Sequence, residues 1–187
     1  MSVTQTALDN GVRVVSDRME SAESVSIGVW VNAGARNEDT SNNGVSHLLE
    51  HMAFKGTDRR SSLDIATEIE NVGGHLNAYT SRETTVYYAT VLKENVDLAL
   101  DIISDIVLNS TFDEQELDRE RGVVLQEIGQ AHDTPDDIIF DLFQETAYPD
   151  QPLGRPILGT ADIVASMPRA TLVDYIGAQY GGDRMVL

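Results

Sequence analysis

Hydrophobic positions recur along this chain in two rhythms. Across Ser24–Val31 the residues Val25, Ile27, Val29 and Val31 alternate with small or polar ones, the period-two pattern of a half-buried strand. Residues 11–16 follow an Asp9-Asn10-Gly11 turn signal and read as an earlier strand. Two further strand-like runs cover residues 75–81 and 84–92, and Ser81-Arg82-Glu83 between them suggests a hairpin. The second run, TTVYYATVL, is rich in β-branched and aromatic residues. Elsewhere the rhythm is helical. Residues 45–54 read as a helix after a polar loop at 38–44. Residues 61–72 read as another, with Ser61 or Ser62 as cap, Ile65, Ile69 and Val72 on one face, and Gly73-Gly74 as the stop. From Asn95 onward Val96, Ala99, Leu100, Ile103, Ile106 and Val107 form an amphipathic stripe. Asp113 caps a helix running to about Ala131, with Glu114 and Glu116 in its first turn. Residues 136–146 and Arg169–Gln179 complete the helical set. The pattern predicts an α+β fold, a mainly antiparallel sheet with helices packed on one face. The last residues, Arg184-Met185-Val186-Leu187, form an apolar β-like run without a terminating turn. They give the expectation that residues 1–187 are one domain, the N-terminal portion of a longer protein.

Charge narrows the classes of partner. Thirteen Lys and Arg face 31 Asp and Glu, a net charge of -18. That balance leaves no basic surface for nucleic acid and no attraction to anionic membranes. It points to partners that carry positive charge. The chain has no cysteine, which excludes disulfides, cysteine zinc sites and thiol catalysis. The first residues show no basic region followed by an apolar one, and no apolar run reaches the length of a membrane span. The expectation is a bacterial cytoplasmic protein, with the mitochondrial matrix as the other compartment.

The chemistry concentrates in His47-Leu48-Leu49-Glu50-His51 on the first predicted helix. A separation of four residues turns about 400°, leaving the two imidazoles about 40° apart on one face. Two neutral imidazoles so placed reach a single zinc ion at about 2.0–2.1 Å. Glu50 lies beside them, able to take a proton from water that the metal acidifies. This His-x-x-Glu-His order is the inverse of the commoner zinc-peptidase word. Alone, a His-x-x-x-His pair is also frequent as surface or core decoration. A catalytic zinc takes three protein ligands, and the helix from Asp113 onward offers Glu114, Glu116, Glu120 and Glu127. Glu120 and Glu127 lie two turns apart on one face, with Val123 and Val124 between them and Leu117 and Ile128 nearby. A carboxylate facing the core is costly unless paired or bound to metal. Glu127 is the better ligand candidate, and Glu120 a group that orients a histidine. His75 and His132 have no such company; His132 reads as an ordinary helix-end histidine.

Three stretches then resemble the M16 (pitrilysin-like, inverzincin) metallopeptidases, and most of all the branch that holds the mitochondrial processing peptidase and its bacterial relatives. They are GVSHLLEHMAFKGT at 44–57, GGHLNAYT at 73–80 and ERGVVLQEI at 120–128. Glu127 also follows His51 at the distance at which this family carries its distal glutamate. The resemblance implies a LuxS/MPP-like fold, zinc bound by His47, His51 and Glu127, Glu50 as general base, and Glu120 as a supporting acid. It implies that Asn77, Ala78 and Tyr79 belong to an edge strand that binds an extended peptide by strand addition, with the Asn77 amide holding a substrate carbonyl. It implies a zinc endopeptidase acting on peptides or presequences, basic ones in particular, and a homodimer or a heterodimer with another M16 subunit. The alternative within the same family is a non-catalytic core or partner subunit.

Overall fold

The computed structural model describes residues 3–187. Six strands form one sheet: β1 (Val3–Ala7), β2 (Arg13–Asp17), β3 (Ser24–Val31), β4 (His75–Thr80), β5 (Thr85–Leu92) and β6 (Met185–Val186). Their spatial order is β1-β2-β6-β3-β5-β4. Every pairing is antiparallel except β2 with β6. The centre is the long β3–β5 ladder, from Ser24 opposite Leu92 to Val31 opposite Thr85. β4 pairs with β5 on one side only, so it forms an open edge.

Among the described residues seven α-helices follow the hydrophobic stripes: α1 (Val45–Ala53), α2 (Ser62–Glu70), α3 (Val96–Leu108), α4 (Glu114–Asp133), α5 (Pro135–Ala147), α6 (Ala161–Ser166) and α7 (Arg169–Gln179). Ser61 caps α2 through its hydroxyl, and Asp113 caps α4 by accepting from the N–H groups of Gln115 and Glu116. One apolar cluster lies between the sheet and α3, where Val31, Tyr87, Ala89 and Val91 meet Ala99, Ile102, Ile103 and Ile106. A second joins α1 to α4, α6 and α7 through Leu48, Leu49, Met52, Leu117, Val124, Val164 and Leu172. Helix α1 is thereby held between the β4 edge and α4. Among the described residues no helix is long and apolar enough to cross a membrane.

The α+β architecture expected from the pattern is the one observed, with three local differences. Strand β1 lacks a period-two signal because all five of its residues are exposed. The short α6 carries too few apolar positions to declare itself. The segment before α1, whose polar composition reads as a solvated loop, turns its polar groups inward: Glu38 and Asn43 are buried. The Glu38 carboxylate accepts from the N–H groups of Gly44 and Ser46 and from Asn43 Nδ2, each at 2.8 Å. It thus caps α1 from a distance, in place of the absent side chain of Gly44. That glycine has φ 98°, and a Cβ there would lie 2.8 Å from the Leu158 carbonyl oxygen.

Candidate metal centre

His47 and His51 project from one face of α1, their ring centroids 4.7 Å apart. Glu127 reaches them from α4. Its Oε2 lies 3.6 Å from His47 Nε2 and 3.6 Å from His51 Nε2. These three side chains are the one group of potential metal ligands among the described residues, their ligand atoms all within 4.8 Å of one another. Ligands bonded to zinc at about 2.0–2.2 Å in tetrahedral arrangement stand about 3.3–3.6 Å apart, so both separations from Glu127 fit such an ion. The donor set, two imidazoles and one carboxylate, is that of a hydrolytic zinc site with a coordination position left open.

The surroundings of the two histidines differ. His51 Nδ1 meets Glu120 Oε2 at 3.0 Å, which presents Nε2 with its lone pair toward Glu127. Glu120 is only 6% exposed, and its other oxygen receives Lys55 Nζ at 2.7 Å. Burial would raise the Glu120 carboxyl, but hydrogen bonds from Lys55 and His51 outweigh it and hold the group below the usual range. His47 Nδ1, by contrast, is buried and has no hydrogen-bond partner. Burial, then the proximity of His51, brings the His47 pKa down to about 4, so its ring is neutral at physiological pH.

Glu50 lies on the adjoining side of α1 and faces the same cleft, a cavity of about 520 Å³. Its carboxyl is raised chiefly by burial and further by the Glu127 charge, against the opposing effects of Thr80 hydrogen bonds and of His51. That is the direction required of a group that must accept and then return a proton near neutral pH. Tyr79 and Thr80 at the end of β4 form another wall of the cleft, and Asp137 and Asp141 from α5 stand opposite. Among the described residues no lysine or arginine lines it, although Arg82 approaches Asp141 from outside at 2.8 Å.

The structure thus brings together His47, Glu50, His51, Glu120 and Glu127, with Tyr79 beside them. Ala78 faces the helices and is buried, whereas Asn77 turns to the outer face of the sheet. The Asn77 side chain folds back so that its Oδ1 accepts from the Ala78 N–H at 2.9 Å. Val123, expected in the buried stripe of α4, is exposed, and Glu127 is half-exposed because it borders the cleft. His132 ends α4 and His75 begins β4, both apart from the three-residue group. Sequence reasoning passed over Lys55, Thr80, Asp137 and Asp141. Lys55 alone carried a signal, since it continues the His47, His51 face by another four residues.

An α+β domain with an inverted His-x-x-Glu-His helix and a distal glutamate defines a class of peptidase folds, and comparison with known proteins specifies it. The sequence matches the family profile "Insulinase (Peptidase family M16)" over residues 13–161. The chain belongs to that family. It is 48% identical over 182 residues to the rat mitochondrial-processing peptidase subunit beta, covering 97% of this chain and 37% of that protein. It is 49% identical to a probable Arabidopsis thaliana mitochondrial-processing peptidase subunit beta, of which it covers 34%. Among solved structures, a Helicobacter pylori protease superposes with TM-score 0.94 at 25% identity, covering 99% of this chain and 45% of that one. The periplasmic protease PqqL of Escherichia coli superposes with TM-score 0.88 at 27% identity, covering 98% and 21%. The chain therefore spans less than half the length of each of these relatives.

Proposed function

We propose that this chain carries the zinc-dependent active site of an endopeptidase that cleaves extended peptides, presequences among them. The convergence of His47, His51 and Glu127 with Glu50 alongside is the observation that carries the reading. Membership of a peptidase family supports it. A zinc ion held by those three residues would supply Lewis acidity toward a carbonyl and lower the pKa of water.

The chain's own residues perform the remaining work. Glu50, raised by burial, takes a proton from water at its carboxylate and returns it to the departing amine nitrogen. Glu120 keeps the His51 ring in the tautomer with Nδ1 protonated. The open edge of β4 pairs with the peptide backbone as an added strand. An incoming carbonyl takes the Ala78 N–H now held by Asn77, which frees the Asn77 amide for a further substrate bond. Tyr79 flanks the peptide where it enters the cleft. Glu50, Glu127, Asp137 and Asp141 on the cleft walls favour basic peptides. The relatives named as beta subunits support assembly with another M16 subunit.

Glu50→Gln in the assembled enzyme tests the proton-transfer role. It is expected to retain zinc while peptide turnover falls by about 10²–10⁴-fold, the usual contribution of a general base. Undiminished turnover with zinc bound would show that Glu50 is not the base.

A further inference from the structure

The geometry points to Lys55 as a positioning residue for the metal site, acting on His51 through Glu120; the inference rests on the zinc-site reading above. His51 and Lys55 are four residues apart, so the side of α1 that presents His51 continues into Lys55 just beyond the helix end. Both reach the same α4 carboxylate. His51 Nδ1 meets Oε2 at 3.0 Å and Lys55 Nζ meets Oε1 at 2.7 Å, so each Glu120 oxygen has its own donor. Two donors on two oxygens fix the plane of a carboxylate, and that plane sets the direction in which the His51 ring is held.

The location separates this pair from an ordinary surface ion pair. The Glu120 side chain is 7% exposed and that of Lys55 29%, so water supplies little substitute for the lysine at the Glu120 carboxylate. The Lys55 backbone is also anchored on both sides. Its N–H donates to the Met52 carbonyl at 3.1 Å, and two residues later the Thr57 hydroxyl donates to the buried Asp105 at 2.8 Å. A long, flexible side chain thereby starts from a fixed point.

The arrangement also accounts for which α4 glutamate faces the histidines' outer nitrogens. Glu120 and Glu127 share a helix face, yet only Glu127 approaches Nε2 of both histidines. With both oxygens committed to Lys55 and His51, Glu120 is held back from the metal. One carboxylate ligand and an open coordination position remain. Without Lys55, Oε1 is released and Glu120 rotates, loosening the His51 ring.

Two measurements on Lys55→Met and Lys55→Arg test this. In the metal-free protein, imidazole ¹H–¹⁵N spectra are expected to show His51 in the single tautomer with Nδ1 protonated. Lys55→Met should give a mixture of tautomers, and Lys55→Arg should restore the single one. Zinc affinity, read by chelator competition, should fall about tenfold in Lys55→Met, toward the lower end of the 10–100-fold typical when an outer hydrogen-bond partner is lost. Lys55→Arg should bind zinc as the unsubstituted protein does. In a Glu120→Gln background, Lys55→Met should have no added effect on affinity, which a merely structural lysine would not obey. An unchanged His51 tautomer in folded Lys55→Met overturns the inference, as does an equal loss in both backgrounds. Failure of the unsubstituted protein to bind zinc would instead overturn the zinc reading, because the tautomer measurement stands without metal.

Discussion

His47 and His51 sit one turn apart on the same helix and have opposite surroundings. His51 is tied to a carboxylate that is tied to a lysine, whereas His47 has its Nδ1 buried with no partner. The protein accommodates His47 by keeping it neutral. Its folded pKa of about 4 lies below the ordinary 6.5. As the pH falls from 6.5 toward 4, the unfolded chain takes up a proton at this position before the folded one does. The metal-free protein therefore loses stability across that window. NMR titration of the metal-free protein should place the His47 midpoint near 4, and a midpoint at the ordinary value would contradict the burial argument. At this scale the sequence was most legible where the chemistry is local. His47, Glu50 and His51 stand within one helical turn and a half, so spacing alone defines their face. Glu38 was illegible for the complementary reason: its donors, Asn43, Gly44 and the Ser46 N–H in the first turn of α1, come within reach only through an inward turn that depends on the packing of Gly44 against Leu158.

Among the elements, the turn after α1 is held by one buried acid on α3. Asp105 is 1% exposed and accepts from Thr57 at 2.8 Å, Arg60 at 2.9 Å, Asn109 at 3.0 Å and Arg59 at 3.2 Å. Burial would raise its carboxyl, but the hydrogen bonds from Asn109, Thr57, Arg60 and Arg59 prevail and bring it down to about 2. Asp105→Ala removes the buried acceptor shared by Thr57, Asn109, Arg59 and Arg60, while Arg60 keeps Glu68 and Asp101. The expected loss is about 1–3 kcal/mol, read as a lower denaturant midpoint at unchanged slope. The folded pKa is depressed below the ordinary 3.8, so this stabilisation is present above pH 3.8 and is lost as the pH falls through about 2. The cost of Asp105→Ala should shrink over that window; a cost of under about 0.5 kcal/mol at neutral pH would mean that the cluster contributes little. The α3 stripe was readable from periodicity, but Asp105 beside Ile106 was not distinguishable from a solvated acid. Its partners at 57–60 lie far away in sequence.

For the whole molecule, the net charge of -18 acquires a place. Glu50, Glu127, Asp137 and Asp141 line one cleft that contains no lysine or arginine. If that concentration steers substrate, kcat/KM for arginine-rich peptides should exceed that for neutral ones and decline as salt screens the field. Equal values independent of ionic strength would assign the charge to solubility alone. The general architecture, an antiparallel sheet with helices on one face, was legible because β3, β4, β5 and α3 have clear periods. The strand order was not. β6 is two residues long, and its insertion between β2 and β3 follows from pairings across most of the chain. Periodicity does not mark β4 as an edge either; the family resemblance does, and β4 is the outermost strand beside β5.

His47, His51 and Glu127 are proposed to hold one zinc ion. The most direct test is anomalous scattering at the zinc edge from crystals of the protein grown with zinc. A single peak is expected at about 2.0–2.2 Å from His47 Nε2, His51 Nε2 and a Glu127 carboxylate oxygen, with none at Glu120. A zinc peak elsewhere, or no peak between α1 and α4 at saturating zinc, would contradict it.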